Sequence, residues 1–328
     1  MARAAVRAFP QIATVSATGR GEQSTGFRHV QAFLERFGYL RPGRYKVGRL
    51  DASTSRALVA FQKFYSLKPT GRFDEATREA MTRPRCALPD VPGARRFATA
   101  CPWDRTNLTF ALDTPTADIA GPGEWTAIRA AFRTWQALAA LTFTEVAQTA
   151  NPDIRVGWRP ANDPDLNMTG GTLAHADFPP DCGVVTNSLP KPVHFDDTEH
   201  TWSVGAVANA FDVETVALHE IGHIVGLQHS PVAGAVMRPT INSNFTRRAL
   251  SADDIAGFDD LYPARTVPDV RELRQTIAGN QIRAVRLVPR FTGQTGPGAW
   301  VYRQSPRAGA TVNVRSTVTL QLRTGPIP

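Results

Sequence analysis

The chain has 328 residues, of which 42% are hydrophobic and 20% are charged, enough for two or three globular domains with their own cores. No apolar run approaches the roughly 20 residues needed to cross a bilayer, so we predict no transmembrane segment. The net charge of +8 suits an anionic cell wall, nucleic acid or simple solubility. Because no basic run is interleaved with aromatic residues, we predict no nucleic-acid partner.

The N-terminal part of the chain divides into three segments. Residues 1–26 lack periodicity and predict a flexible tail. They also lack the apolar core of a secretory signal, which leaves an earlier signal, another export route or an intracellular protein open. Residues 27–83 predict a small domain of three helices, the last one at 73–81. Its first two helices follow from apolar residues at helical spacing: Val30, Phe33, Leu34 and Phe37, then Ala57, Leu58, Phe61 and Phe64. Residues 84–96 are rich in proline and predict an exposed linker.

The remainder of the chain alternates strand and helix patterns. Within residues 97–263 we expect strands at 108–112, 141–146, 153–158, 172–178 and 193–196, and helices at 125–141, 213–226 and 251–261. Residues 266–328 change to short β-rich runs between Gly and Pro turns, with a short helix near 270–278, which indicates a separate small module. The pattern as a whole predicts an α+β protein.

The strongest chemical signal is a run of histidines on a predicted helix. His219 and His223 are four residues apart, so they project from one helix face on successive turns and can bind one cation. Glu220 stands beside that position and can take a proton from water. Gly226 lets the backbone leave the helix, which brings His229 in as a third ligand. Three protein ligands leave one tetrahedral position for water, as in a catalytic zinc site. Histidines on a polar helix face are the alternative.

This motif resembles the metzincin signature, and its ending in His229-Ser230 resembles the matrixin (matrix metalloproteinase) branch. Met237 matches the methionine turn that metzincins place beneath the metal; a simple core methionine is the alternative. Residues 250–257 and 261–263 resemble the closing helix of the same domain. The resemblance covers about residues 100–263 and implies a twisted mixed sheet with three helices and a zinc endopeptidase activity.

A second resemblance lies just before this domain. Residues 84–91 are similar to the cysteine switch of matrixin zymogens, in which a thiolate occupies the fourth zinc position and excludes water. The resemblance makes Cys86 the inhibitory ligand and pairs Arg85 with Asp90. Ala87 stands where the family usually has Gly, so the loop geometry differs from the family pattern.

The chain has three cysteines, and an odd number suggests one pair and one free thiol. The switch resemblance leaves Cys86 free and pairs Cys101 with Cys182. A linker cysteine in which Cys86 itself forms a disulfide with Cys101 or Cys182 is the alternative.

The resemblance also implies further cations, because matrixins carry a structural zinc and calcium ions before the active-site helix. Two zinc-bearing segments match, but the family's upstream His is missing, so the structural zinc is either completed by nearby carboxylates or lost. The candidate structural-zinc residues are His175, His194, Asp163 and Asp165. The candidate calcium residues are Asp196, Glu199 and Asn167. Ordinary half-buried strand histidines are the alternative for His175 and His194.

By the same resemblance, a protein or peptide substrate lies extended along 172–177 as an added strand. The candidate substrate-binding residues are Leu173, Ala174, Met237 and Pro239. Zinc polarises the scissile carbonyl, and Glu220 acts as the base and passes its proton to the leaving amine.

The flanking regions resemble two cell-wall modules. Residues 27–83 are similar to the peptidoglycan-binding-like fold that also forms matrixin propeptides, and continuity into the switch favours a propeptide. Residues 266–328 resemble a PASTA domain, which implies bacterial cell-wall binding; a β-rich spacer is the alternative. We therefore expect a monomer that is extracellular or cell-wall associated. A peptidoglycan stem-peptide hydrolase and a non-catalytic wall-binding protein are the competing functions.

Overall fold

The computed structural model describes residues 8–19, 21–24, 26–91, 101–138 and 140–325. Residues 92–96 of the predicted linker, and residues 97–100 where we expected the central domain to begin, lie outside the described residues. None of the helices in these described ranges is both long and apolar enough to cross a membrane. The predicted α+β class is confirmed.

The N-terminal domain is formed by four helices: α1 Pro10–Ala13, α2 Phe27–Arg36, α3 Ala52–Phe64 and α4 Glu75–Met81. Helices α3 and α4 begin in the same way, because Asp51 and Asp74 each accept a hydrogen bond from the backbone N–H three residues on. The buried amides of Gln31 and Gln62 each hydrogen-bond to the loop before the next helix. These bonds satisfy the polar groups inside an otherwise apolar core.

Residues 8–15 differ from the flexible tail that we expected over residues 1–26. Their apolar side chains are buried against the helical domain: Ala8, Phe9, Ile12 and Val15. The Phe9 ring lies 4.9 Å from that of Phe33, centroid to centroid. Four apolar residues make too short a pattern to predict this packing, which depends on an aromatic cluster formed by another helix.

The central domain is built on a six-stranded sheet. Its strands are β1 Arg85–Cys86, β2 Asn107–Leu112, β3 Thr142–Glu145, β4 Ile154–Arg159, β5 Thr172–Ala176 and β6 Lys191–Asp196. They lie in the order β1-β5-β6-β4-β2-β3. Strands β5 and β6 are antiparallel and the other pairs are parallel, so the sheet is mixed. The segment before the domain therefore supplies the edge strand β1.

Three helices accompany this sheet: α5 Gly123–Gln136, α6 Val213–Ile224 and α7 Ala252–Leu261. Short elements connect them, namely a 3₁₀ turn at Gln148–Ala150 and two small strands, β7 Trp202–Ser203 and β8 Phe211–Asp212. Asp212 is the N-cap of helix α6, because its side chain accepts a hydrogen bond from the N–H of Thr215, and α7 begins with a capping box between Ser251 and Asp254. The indole N–H of Trp135 on α5 donates to the carbonyl of Leu218, which fixes α5 against α6.

The C-terminal module is a small α+β unit. Its elements are β9 Ala264–Thr266, α8 Gln275–Ala284, β10 Val288–Gly293, β11 Trp300–Ser305, β12 Thr311–Asn313 and β13 Thr317–Arg323. Strands β10, β13 and β11 form one sheet in that order, and β9 pairs with β12. Helix α8 begins later than the expected 270–278, because Glu272 adopts a φ of 64° and its N–H donates to the carbonyl of Val301.

Candidate metal centre

Two of the three motif histidines are adjacent on helix α6, and the third returns to them after a turn. The Nε2 atoms of His219 and His223 are 3.2 Å apart. The turn needs Gly226, which has a φ of 101°; a Cβ there would also overlap the carbonyl of Cys101. His229 is thereby placed with its ring 4.8 Å from that of His223, centroid to centroid.

Each imidazole is oriented by a hydrogen bond through its other nitrogen. The Nδ1 atoms lie 2.8 Å from the carbonyl of Val236 for His219 and 2.7 Å from that of Leu227 for His223. Nδ1 of His229 lies 2.9 Å from Oδ1 of Asp90. All three Nε2 atoms consequently face one point, and Nε2 of His229 is buried without a hydrogen-bond partner among the described residues.

The protonation state of the three histidines favours binding of a cation. Burial, and then the neighbouring His229, lower the pKa of His219 to about 3, and burial also lowers the pKa of His223 and of His229. Neutral imidazole is the form that binds zinc. A buried ring nitrogen that has no hydrogen-bond partner and faces two others is a donor set that fits zinc.

Cys86 reaches the same point from strand β1. Its Sγ is 3.6 Å from Nε2 of His223 and 3.6 Å from Oε2 of Glu220. One ligand atom from each of Cys86, His219, His223 and His229 lies within 4.8 Å of all the others. Cys86 is the free cysteine of the described chain and is buried. A thiolate here would complete a tetrahedral set.

The segment that carries Cys86, residues 84–91, is called the switch segment below. It is held by backbone hydrogen bonds on both sides. The N–H of Cys86 donates to the carbonyl of Pro239, and the N–H of Ala87 donates to that of Ala174 on β5, both at 2.9 Å. Ala87 is not among the residues with positive φ. The loop therefore does not need the glycine that the family usually has there.

A buried ion pair closes the switch segment on itself. Nη2 of Arg85 is 2.5 Å from Oδ1 of Asp90, and both side chains are almost fully buried. The hydroxyls of Tyr39 and Tyr65, from the N-terminal domain, donate to the other carboxylate oxygen at 2.8 and 3.2 Å. These partners satisfy a pair that would otherwise be costly to bury.

Glu220 lies beside the cluster, with its Oε2 3.6 Å from the sulfur of Cys86. Its side chain is fully buried, and burial raises its pKa to about 8. Oε1 has no hydrogen-bond partner in the described ranges. A carboxylate with a free oxygen next to a metal position can accept a proton from water.

Met237 and Gly222 form the floor of the site. A Cβ on Gly222 would overlap the sulfur of Met237, so a larger residue there would force the methionine side chain to move. A small cavity opens beside His219 and Glu220, and Leu173, Pro239 and Ile241 are among its lining residues. Ala174 contributes its carbonyl to the switch segment rather than lining the cavity.

A second cluster joins Asp163, His175 and His194. Oδ2 of Asp163 is 3.0 Å from Nε2 of His175 and 2.7 Å from Nδ1 of His194. Asp165 stays at the rim, 3.6 Å from Nδ1 of His194 and 48% exposed. The buried Nδ1 of His175 has no partner among the described atoms. Asp163, His175 and His194 can hold a cation. Asp165 is not part of this compact group, although one of its oxygens lies near His194.

A third cluster contains Asp196, Glu199 and a residue that the sequence analysis missed, His200. The sequence offered one signal for His200, its position four residues after Asp196. Burial raises the pKa of Asp196 to about 6, while Glu199 accepts hydrogen bonds from the N–H groups of Gly170 and Gly171. The side-chain oxygen of Asn167 accepts a hydrogen bond from the N–H of Thr169, and its part in a calcium site stays a prediction.

Cys101 and Cys182 form a disulfide that ties the start of the described central domain to the loop after β5. That loop is also organised by Asp177, another residue that the sequence analysis missed. Its buried carboxylate accepts hydrogen bonds from the N–H groups of Phe178, Val184 and Thr186. Lys191, also fully buried, lies 3.1 Å from it. Phe178 in turn packs against the ring of His223.

Comparison with known proteins gives the same three-part division. Residues 102–263 match the Matrixin family, residues 23–81 match a peptidoglycan binding domain, and residues 265–324 match the PASTA domain.

Several curated relatives are metalloproteinases. The hatching enzyme of Paracentrotus lividus is 34% identical over 247 residues, covering 74% of this chain and 40% of the relative. Human matrix metalloproteinase-17 is 36% identical over 222 residues, covering 63% and 36%, and mouse stromelysin-1 is 31% identical over 257 residues, covering 76% and 52%. The chain thus spans about half or less of the length of these relatives. With the histidine cluster, the methionine floor and the family match all in one domain, residues 102–263 belong to the matrixin family.

Proposed function

We propose that this chain is a zinc-dependent endopeptidase, made as a zymogen, that hydrolyses peptide bonds in an extended substrate. The observation that carries the proposal is the meeting of three Nε2 atoms and the Cys86 sulfur at one buried point beside Glu220. The named relatives are metalloproteinases, which supports the same reaction class.

His219, His223 and His229 would hold the zinc, which when bound supplies a Lewis acid that polarises the scissile carbonyl and lowers the pKa of water. Glu220 takes the proton of the attacking water, and it later passes that proton to the nitrogen of the leaving amine. Burial suits this exchange, because it raises the pKa of Glu220 and so favours a carboxylate that can both accept and return a proton.

Substrate binding follows from what the switch segment occupies. Strand β1 pairs with β5, and the N–H groups of Cys86 and Ala87 donate to the carbonyls of Pro239 and Ala174. When the segment leaves, these carbonyls and the edge of β5 are free to pair with an extended peptide. The zymogen and the substrate therefore compete for the same backbone groups, and Cys86 also blocks the position that water needs.

The decisive experiment is a casein cleavage assay on the chain after release of its N-terminal part. We expect activity that a chelator abolishes and added zinc restores. Glu220→Gln should retain bound zinc, by metal analysis, but lose about 100- to 10,000-fold in rate. Wild-type turnover by this variant, or chelator-resistant cleavage, would contradict the mechanism.

A second function is favoured by one specific observation, the match of residues 23–81 and 265–324 to a peptidoglycan binding domain and a PASTA domain. A monomeric protein that is extracellular or associated with a cell wall could direct the same chemistry at peptidoglycan stem peptides. Release of peptides from purified wall, with casein left intact, would favour this hydrolase. A wall-binding protein without catalysis is disfavoured by the complete set of ligands and base.

A further inference from the structure

The charge of the chain is concentrated in one module. Residues 265–328 contain ten arginines, no lysine and two acidic residues, Asp269 and Glu272, a net charge of +8. The whole chain also carries +8, so residues 1–264 are balanced, with 27 basic and 27 acidic residues. A single-sign field on one small domain attracts polyanions, whereas scattered charge does not.

Part of this charge lies on one face of the three-stranded sheet. Strand β13 alternates buried apolar and outward polar residues, and helix α8 covers the apolar side. The outward side carries Arg323 from β13, Arg290 from β10 and Arg303 from β11, all exposed. In register, Arg290 pairs with Thr319, and Arg303 pairs with Gln321.

This outward side of β10, β13 and β11 is called the arginine face below. Neighbouring strands are about 4.8 Å apart, and the β13 partners of Arg290 and Arg303 are two residues apart. The two backbones therefore stand about 12 Å apart, with β13 between them. Val288 is an exposed apolar residue on this side of β10. Most of the other residues near the arginines carry hydroxyl or amide groups: Thr292, Ser305, Thr317, Thr319 and Gln321. None of the three arginines has an ion-pair partner in the described part of the chain. The one acidic side chain that pairs within the module, Asp269, is already bound to Arg271.

We propose that the arginine face binds an acidic polysaccharide. Guanidinium groups bind carboxylate, sulfate or phosphate groups in a two-pronged geometry. The hydroxyl and amide side chains between them can hydrogen-bond to sugar hydroxyls, and spacings of about 12 Å allow one extended polymer to reach several arginines.

Nucleic acid fits this face less well. Single-stranded nucleic acid is held by aromatic rings on which successive bases stack. Two aromatic residues of β11 stand near Arg323. Trp300 pairs with it in register but is only 7% exposed, and the guanidinium of Arg323 lies over the ring of Tyr302, 4.0 Å from its centroid. The arrangement therefore serves charge and hydrogen bonding, with no free stacking platform.

The test is a binding titration of the full chain with polygalacturonate, with neutral dextran and single-stranded DNA as comparisons. We expect binding that weakens as salt is raised, no binding to dextran, and clearly weaker binding to DNA of similar charge. The variant R290Q/R303Q/R323Q should lose at least tenfold in affinity. Its circular dichroism and thermal midpoint should match the wild type.

The matched control removes the same charge elsewhere in the module, as R283Q/R286Q/R307Q, and should bind polygalacturonate within about threefold of the wild type. Equal loss in both triple variants would overturn the proposal in favour of net charge alone. Binding to DNA as tight as to polygalacturonate would assign the face to nucleic acid, and no binding by the full chain would remove the site. The titration needs no protease activity, so its outcome is independent of the proposed peptidase function.

Discussion

Oδ1 of Asp90 is 2.9 Å from Nδ1 of His229 and 2.5 Å from Nη2 of Arg85. The switch segment therefore touches the metal centre twice, once through the sulfur of Cys86 and once through a carboxylate that orients a histidine ligand. Such outer partners fix the ring and its tautomer. Release of the segment removes both contacts together, so latency and ligand orientation are coupled in this chain.

The first prediction concerns this carboxylate. Asp90→Asn keeps the size of the side chain but leaves the buried Arg85 without its counter-charge. Breaking a buried pair in this way costs about 3–5 kcal/mol. Here it destabilises the docked form of the switch segment relative to the released form, in which both side chains can reach water. The uncut variant should therefore be at least about tenfold more active on a fluorogenic peptide than the uncut wild type.

Gel electrophoresis would verify that both chains remain uncut. Glu35→Gln is the matched control, because this carboxylate accepts from the hydroxyl of Tyr45 in the same domain, away from the switch segment. If Asp90→Asn stays as latent as the control, the ion pair does not hold the segment.

The second prediction separates ligation from docking. Cys86→Ser leaves the Arg85–Asp90 pair intact but replaces a thiolate with a neutral hydroxyl, a poor zinc ligand. We expect the uncut variant to gain activity, with mass spectrometry confirming full length. In the wild type, Cys86 should resist thiol labelling until a chelator is added, since the sulfur is buried and would be bound to the metal. Equal activity of the two uncut chains, or a disulfide at Cys86, would end the zymogen model.

The third prediction concerns a contact between domains that lies outside the switch segment. The Arg36 guanidinium donates to the carbonyl of Asn167 at 2.6 Å and to that of Thr169 at 3.2 Å. It also lies 5.7 Å from the centroid of the Phe9 ring. Arg36→Ala should weaken this contact by about 1 kcal/mol. Amide hydrogen exchange in residues 8–15 and 167–171 should then become about fivefold faster.

Arg41→Ala, at an exposed position of the same domain, is the control and should leave exchange in both segments unchanged. Identical protection in Arg36→Ala would show that the contact contributes nothing to holding the two domains together.

Local patterns predicted most of the elements but few of the long-range contacts. Helix α6 was expected at 213–226 and runs over Val213–Ile224, because a capping Asp and a long periodic stretch mark it. In contrast, the two-residue strand β1 and the contact between Asp90 and His229, 139 positions apart, depend on how separate domains meet. No periodicity records such a contact. The cluster of Asp163 with His175 and His194 was named because a family pattern indicated it, whereas His200 had only a spacing of four as a signal.

The last prediction is a pH dependence at the start of helix α6, away from the metal ligands. Asp212 caps the helix, accepts from the N–H of Gly205 at 2.7 Å and pairs with Arg248 at 2.5 Å. Burial opposes its ionisation, but these hydrogen bonds, with that of Arg248 first, leave the pKa of Asp212 below 3.8. Because the folded pKa is lower than the unfolded one, the stabilisation is present above about pH 4 and is lost as pH falls through the folded pKa. Asp212→Asn removes this charge and should lower stability at pH 7 by about 1–2 kcal/mol, seen as a fall of about 2–6 °C in the calorimetric midpoint of the central domain.

The deficit should shrink progressively below pH 4, whereas Asp104→Asn, at a side chain that is 79% exposed, should show none at any pH. A deficit that stays constant down to pH 2 would mean that the loss comes from packing and not from the charge.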